Sequence, residues 1–200
     1  MSRTLFRSDG GTLVLPDASS VLATRLDGGN LLVNPPRPVW ERSELSADEL
    51  TQWSFLVAAA GAAMLEALPQ LDGGCINYWE AGNWALNDAA DPAGPKRARE
   101  SRRMHLHLLG RSRTATHPSW RWGESPRFPE FAERHGWSAG HERFTADECR
   151  AIVERTEARL VSGYGVAHSR IAPWHACPAC QYPTADPPSS APCRECGGAR

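Results

Sequence analysis

Four of the six cysteines crowd into the last 24 residues as two C-x-x-C pairs, Cys177-Pro178-Ala179-Cys180 and Cys193-Arg194-Glu195-Cys196, twelve residues apart. Each pair can place two thiolates on one cation, and two pairs complete a tetrahedral shell with Zn–S near ~2.3 Å. Such a shell is closed, so Cys177, Cys180, Cys193 and Cys196 read as ligands of a structural Zn2+ rather than a catalytic one. The competing readings are a redox dithiol pair and unliganded cysteines in a disordered tail. From Ala172 onward prolines and small polar residues scatter among the cysteines, and few apolar side chains remain. Metal binding would stand in for the missing core. The sequence therefore divides into a main domain over 1–171 and a zinc-ribbon tail over 172–200.

The main domain reads as strands, a helix, more strands, then a second helix, which predicts an α+β fold with a mainly antiparallel sheet. Thr12–Leu15, Val21–Leu26 and Leu31–Val33 are β-prone, and Asp27-Gly28-Gly29-Asn30 predicts a hairpin turn between the last two. Ser46-Ala47-Asp48-Glu49 and Thr145-Ala146-Asp147-Glu148 match capping boxes. They predict helices to about Leu68 and Ser162, with Gly163 as the second stop. Leu50, Trp53, Val57, Ala60, Met64 and Leu68 share one face of the first helix; Cys149, Ile152, Val153, Thr156 and Leu160 face inward on the second. Cys75–Glu80, Asn83–Asn87 and Met104–Leu109 read as three more strands.

The charges nearly cancel, 22 Lys+Arg against 23 Asp+Glu, which excludes a generally basic nucleic-acid coat. The longest apolar run, Phe55–Leu65, is too short to span a bilayer, which needs ~20 residues. The amino-terminal residues lack the apolar core of an export signal. A soluble, cytoplasmic protein is the expectation.

His105 and His107 lie two apart in a β-prone run, so both imidazoles project from one face while Leu106 and Leu108 point the other way. One such imidazole can attack a phosphorus or carbonyl centre while the other holds oxygens or passes a proton. The same pair could serve as two ligands of a metal. Just upstream, Lys96, Arg97, Arg99, Arg102 and Arg103 form a basic loop suited to phosphate. Trp79, Trp84, Trp120 and Trp122 read as core or sheet cover rather than base-stacking platforms, and His117, His135, His141 and His168 as solvent-facing.

The run His105-Leu106-His107-Leu108-Leu109-Gly110-Arg111 resembles the end of the histidine triad (HIT) motif. Gly29-Asn30-Leu31-Leu32-Val33-Asn34-Pro35-Pro36-Arg37 resembles an upstream strand of that family, and Leu45–Leu50 the start of its long helix. The resemblance covers roughly residues 12–111. It implies the antiparallel half-barrel shared with galactose-1-phosphate uridylyltransferases. It also implies nucleotide hydrolysis or nucleotidyl transfer through a covalent nucleotidyl-histidine, on a nucleoside phosphate ester, anhydride or phosphoramidate. By position it makes His105 the nucleophile and His107 a phosphate contact, with Asn87, Arg103 and Asp27 as substrate contacts. Arg103 stands where the first histidine of the triad would be. The implied partner is a small-molecule nucleotide, and the family's habit of forming homodimers comes with the resemblance. Joined to a zinc module, the domain also resembles the aprataxin-like enzymes that remove AMP from nucleic-acid 5′ ends. A catalytically silent nucleotide-binding domain is the third reading.

Overall fold

The computed structural model describes residues 2–184 together with Cys193, Cys196 and Gly197. Its centre is a six-stranded antiparallel sheet. The strands are β1 (Arg3–Ser8), β2 (Gly11–Leu15), β3 (Asn30–Asn34), β4 (Cys75–Ala81), β5 (His105–Arg111) and β6 (Ser169–Ile171). They lie side by side in the order β4, β5, β3, β2, β1, β6. A second ladder pairs β7 (His175–Ala176) with β8 (Pro183–Thr184). Among the described residues four α-helices accompany them: α1 (Ala47–Ala67), α2 (Ala98–Ser101), α3 (Arg134–Ser138) and α4 (Ala146–Tyr164). The α+β expectation is met, and among the described residues no helix is long and apolar enough to cross a membrane.

Both capping boxes form as expected. Ser46 accepts from the Glu49 amide while Glu49 reaches back to the Ser46 amide, and Thr145 and Glu148 do the same. Each box satisfies two amide donors that a helix start would otherwise leave unpaired. The helices α1 and α4 pack against each other on one side of the sheet. There Trp53, Leu56, Ala60 and Met64 meet Ile152, Val153 and Leu160 above Leu13, Leu31, Leu106 and Leu108. Cys149 and Thr156 are fully buried on the inward face of α4. That helix runs through Gly163 and stops two residues later, where Gly165 adopts the left-handed conformation and its amide bonds the Leu160 carbonyl.

Three readings of the strands need correction. Arg3–Ser8 is a strand that the alternation pattern hides. A bulge between Thr4 and Phe6 turns the consecutive residues Leu5 and Phe6 both inward. Val21–Leu26 is not a strand. Its backbone finds side chains instead of a ladder: the Leu22 amide bonds Asn30 Oδ1, and Trp137 and Ser138 bond the Leu22 and Val21 carbonyls. The Asp27–Asn30 turn therefore closes no hairpin, although Gly28 and Gly29 both take positive φ. Gly28 lies backbone to backbone against Gly110, where a Cβ on either residue would strike the other chain. The third misread segment, Asn83–Leu86, is a 3-10 turn, entered through Gly82 at φ 129°.

The opposite side of the sheet carries a smaller apolar cluster of Leu22, Ala23, Leu109 and Trp120, with Trp79, Trp84 and Phe128 packed against it. The segments 20–28 and 112–142 supply its cover, so this side of the sheet is sheltered by irregular chain rather than by long helices.

Candidate active site on the outer side of the sheet

The alternation of β5 sends Leu106 and Leu108 into the helix-covered core and His105 and His107 to the other side. Antiparallel register sets Ala81 beside His105, and Trp79 and Leu32 beside His107. The two imidazole centres are 5.0 Å apart, and the Trp79 ring lies 5.2 Å from that of His107. Trp79 is itself backed by a stacked Phe128 at 4.3 Å. Both histidines open on a cavity of about 410 Å³. Its apolar wall is Leu22, Leu32, Trp79, Ala81, Trp84 and Ala85, and its polar lining adds Ser2, Ser20, Asn83, Ser101 and Arg103.

The protonation of His105 is fixed by a single neighbour. Its Nδ1 lies 3.0 Å from the Arg103 carbonyl oxygen. A carbonyl only accepts, so Nδ1 carries the proton and Nε2 keeps its lone pair. Burial lowers the pKa of His105 below the usual imidazole value, with the charge of Arg102 adding to the effect and the Arg103 carbonyl opposing it. His107 is only 8% exposed. Burial, with a smaller contribution from His105, pushes it down to about 3. Its Nδ1 is buried without a hydrogen-bond partner among the described residues. A polar atom left in that condition costs stability and is commonly explained by function. Two neutral imidazoles side by side, one with a free nitrogen lone pair, can act as nucleophile and hydrogen-bonding support at neutral pH.

Of the five basic residues of the loop, Arg103 alone lines the cavity. It is exposed. Lys96 instead donates to the carbonyls of Asn87, Ala90, Pro92 and Gly94, tying its own loop together. Arg97 pairs with Glu100 and Arg99 with Glu44. Arg102 is buried: it meets Glu41 at 2.9 Å, Glu80 at 3.7 Å and the Asn83 side chain at 3.1 Å, and also bonds the Trp40 carbonyl. The picture of a dense cation set facing phosphate is therefore replaced by one arginine at the cavity. The partners of Arg97 and Lys96 lie within their own loop, whereas Glu41, Glu44 and Glu80, which take Arg99 and Arg102, are brought near only by the tertiary fold.

Asp27 and Asn87 do not line the cavity. Asp27 is 3% exposed, and its two carboxylate oxygens accept from the Thr116 and His117 amides. It anchors the chain leaving β5. Asn87 is exposed and accepts from the Ala89 amide. Asn83, one turn earlier, is the asparagine at the cavity. His117 and His141 are half-buried rather than solvent-facing: their rings lie 5.0 Å apart and each packs on Trp137. The expected role of the tryptophans also changes, since Trp79 and Trp84 line the cavity.

The four tail cysteines converge. Their sulfur atoms all lie within 4.8 Å of one another, with Cys180 and Cys193 at 4.0 Å. Tetrahedral ligation at ~2.3 Å per bond would place sulfurs roughly 3.8 Å apart, so the donor set fits one metal ion. The first knuckle is closed by the Gln181 amide on the Cys177 carbonyl at 2.8 Å, and the second by the Gly197 amide on the Cys193 carbonyl at 2.7 Å. The β7–β8 ladder carrying the first knuckle docks on the start of α4. There the Ala146 amide bonds the Gln181 carbonyl, and Arg143 lies 4.4 Å over the Tyr182 ring. The intervening residues 185–192, and with them most of the predicted spacer, lie outside the described residues.

Compared with known proteins, the chain matches no family model and no curated protein.

Proposed function

We propose that this protein is a HIT-like nucleotide hydrolase or nucleotidyl transferase that works through a covalent nucleotidyl-histidine on His105. The supporting observation is the contact between His105 Nδ1 and the Arg103 carbonyl, which leaves Nε2 unprotonated toward the cavity. In the first step the Nε2 lone pair attacks the α-phosphorus of a nucleoside phosphate ester, anhydride or phosphoramidate. A P–N bond forms, the bond from phosphorus to the leaving group breaks with its electron pair, and the leaving group takes a proton from water. In the second step water, or another acceptor, attacks phosphorus; a P–O bond forms, the P–N bond breaks and returns its electron pair to Nε2, and the proton of the attacking hydroxyl passes to solvent as the nucleotidyl product leaves. His107 and Arg103 contact the non-bridging oxygens, where charge builds in the transition state. Arg103 stays protonated throughout, so it supplies charge and geometry but passes no proton. The apolar wall with Trp79 and Trp84 receives the base.

The tail cysteines hold Zn2+ in this reading. Four thiolates leave the ion no open position, so its contribution is to the fold. Thiols kept available for a metal suit a reducing, cytoplasmic setting.

The test is intact-mass analysis after incubation with a substrate such as an adenosine 5′-phosphoramidate. An acid-labile adenylyl adduct on His105 is expected, and His105→Ala should lose the adduct and about a thousandfold or more of turnover. Turnover unchanged by His105→Ala overturns the assignment. Nucleotide bound tightly with no adduct selects the binding-only reading, which draws on Arg103 at the first triad position.

A further inference from the structure

Two of the polar residues lining the cavity, Ser2 and Ser20, share one carboxylate behind the wall. Asp17 Oδ1 accepts from the Ser20 hydroxyl at 3.2 Å and from the Ser19 amide at 2.9 Å, and it also takes the Ser19 hydroxyl. Asp17 Oδ2 takes the Ser2 hydroxyl at a longer 3.5 Å. The serine bonds hold Asp17 below the ordinary carboxylate pKa against the opposing effect of burial, so it is ionised at neutral pH. An ionised carboxylate has no proton to give. The Ser20 and Ser2 hydroxyl protons therefore point back to Asp17, and what these oxygens offer the cavity is lone pairs. Among the described residues no carboxylate lines the cavity itself. Asp27, expected from the resemblance to contact substrate, spends both oxygens on the Thr116 and His117 amides.

We infer that Ser20, assisted by Ser2 and oriented by Asp17, is a specificity-determining acceptor that reads a hydrogen-bond donor on the nucleotide. This rests on the proposed nucleotide site and adds to it the chemistry by which one nucleotide is preferred over another. The donor is either an exocyclic amino group of the base or a hydroxyl of the sugar. An acceptor wall favours both over analogues lacking the donor, whereas hydroxyls free to rotate would accept or donate indifferently. A neutral hydrogen bond of this kind discriminates by about three- to tenfold. That is far below what a buried carboxylate clamped on a sugar diol would give.

The experiment measures dissociation constants of AMP, purine riboside 5′-monophosphate and 2′-deoxy-AMP on the full chain, read by isothermal titration calorimetry. Adduct formation on His105 from adenosine 5′-phosphoramidate is followed in parallel. The parent protein should prefer AMP by about three- to tenfold over one of the two analogues, and which one identifies the donor. Ser20→Ala should bring that ratio close to one while His105 still forms its adduct. Asp17→Asn provides a second arm. Its amide oxygen can keep the Ser19 amide while its NH2 faces Ser2, releasing the Ser2 proton into the cavity, so the preference should shrink without loss of fold. If the adduct forms but both variants weaken all three ligands equally, or AMP shows no preference in the parent, the inference fails alone. If no adduct forms in any variant, the catalytic reading fails, and the ligand ratios still decide the role of Ser20.

Discussion

Acidification should destabilise this fold through His107 by an amount that the structure allows to be worked out. His107 is 8% exposed and its pKa is pushed down to about 3, against the ordinary imidazole value of 6.5. The folded state thus binds the proton less readily than the unfolded state does. The stabilisation is complete above pH 6.5 and is lost progressively as pH falls toward 3. At pH 5 the unfolded imidazole has been favoured over one and a half pH units, each worth about 1.36 kcal/mol, so the fold loses about 2 kcal/mol through this residue. Urea unfolding at pH 7 and pH 5 measures it. With a slope of about 2 kcal/mol per molar, the midpoint should drop by about 1 M more in the parent than in His107→Leu, which has no imidazole to titrate. His105 and His141 are also lowered by burial, and they act in both proteins. Equal drops in parent and variant, or an imidazole at position 107 titrating near 6.5 by NMR, would refute the reasoning.

Three further outcomes follow from the contacts described. Arg102→Met should cost roughly 2 kcal/mol in chemical unfolding, below the ~3–5 typical of a fully buried broken pair, because Glu41 and Glu80 stay partly hydrated and Glu80 keeps Arg42. Gly28→Ala should cost about 3 kcal/mol or more, since φ of +125° and the apposed Gly110 backbone both exclude a Cβ; a thermal midpoint within a degree of the parent would show the turn to be more pliable than drawn. Atomic emission should find one zinc per chain in the purified protein. Chelation or Cys180→Ser should release it and lower the thermal midpoint by about 5 °C or more, with unchanged melting after metal loss as the contrary result.

The parts of the fold legible in the sequence are those whose partners are close along the chain. Ser46 with Glu49, and Thr145 with Glu148, close their boxes within four residues, so both long helices could be placed at their first turn. The period of two in His105 and His107 likewise needs only the strand itself. What was not legible depends on distant partners. Val21 and Leu22 look like strand residues, and their bonds to Trp137 and Ser138 come from more than a hundred residues away. The basic run could be read as charge, but the carboxylates of Glu41, Glu44 and Glu80 that take up Arg99 and Arg102 come from other elements. Ser2 and Ser20 carried no motif at all, and only the cavity brings them to the imidazoles. The converging cysteines were the exception among long-range features, because metal ligation imposes a spacing that thiols advertise by type.

Trp137 and Ser138, both on α3, hold the carbonyls of Leu22 and Val21, and Leu22 lines the cavity. The imidazoles belong to a strand whose placement comes from the sheet, while this flank of the pocket is pinned by chain that arrives later. Substitutions at Trp137 and Ser138 can thus reshape this flank of the cavity without touching the strand that carries the imidazoles. In the proposed reading, the choice of ligand and the breaking of its bond therefore rest on different stretches of chain.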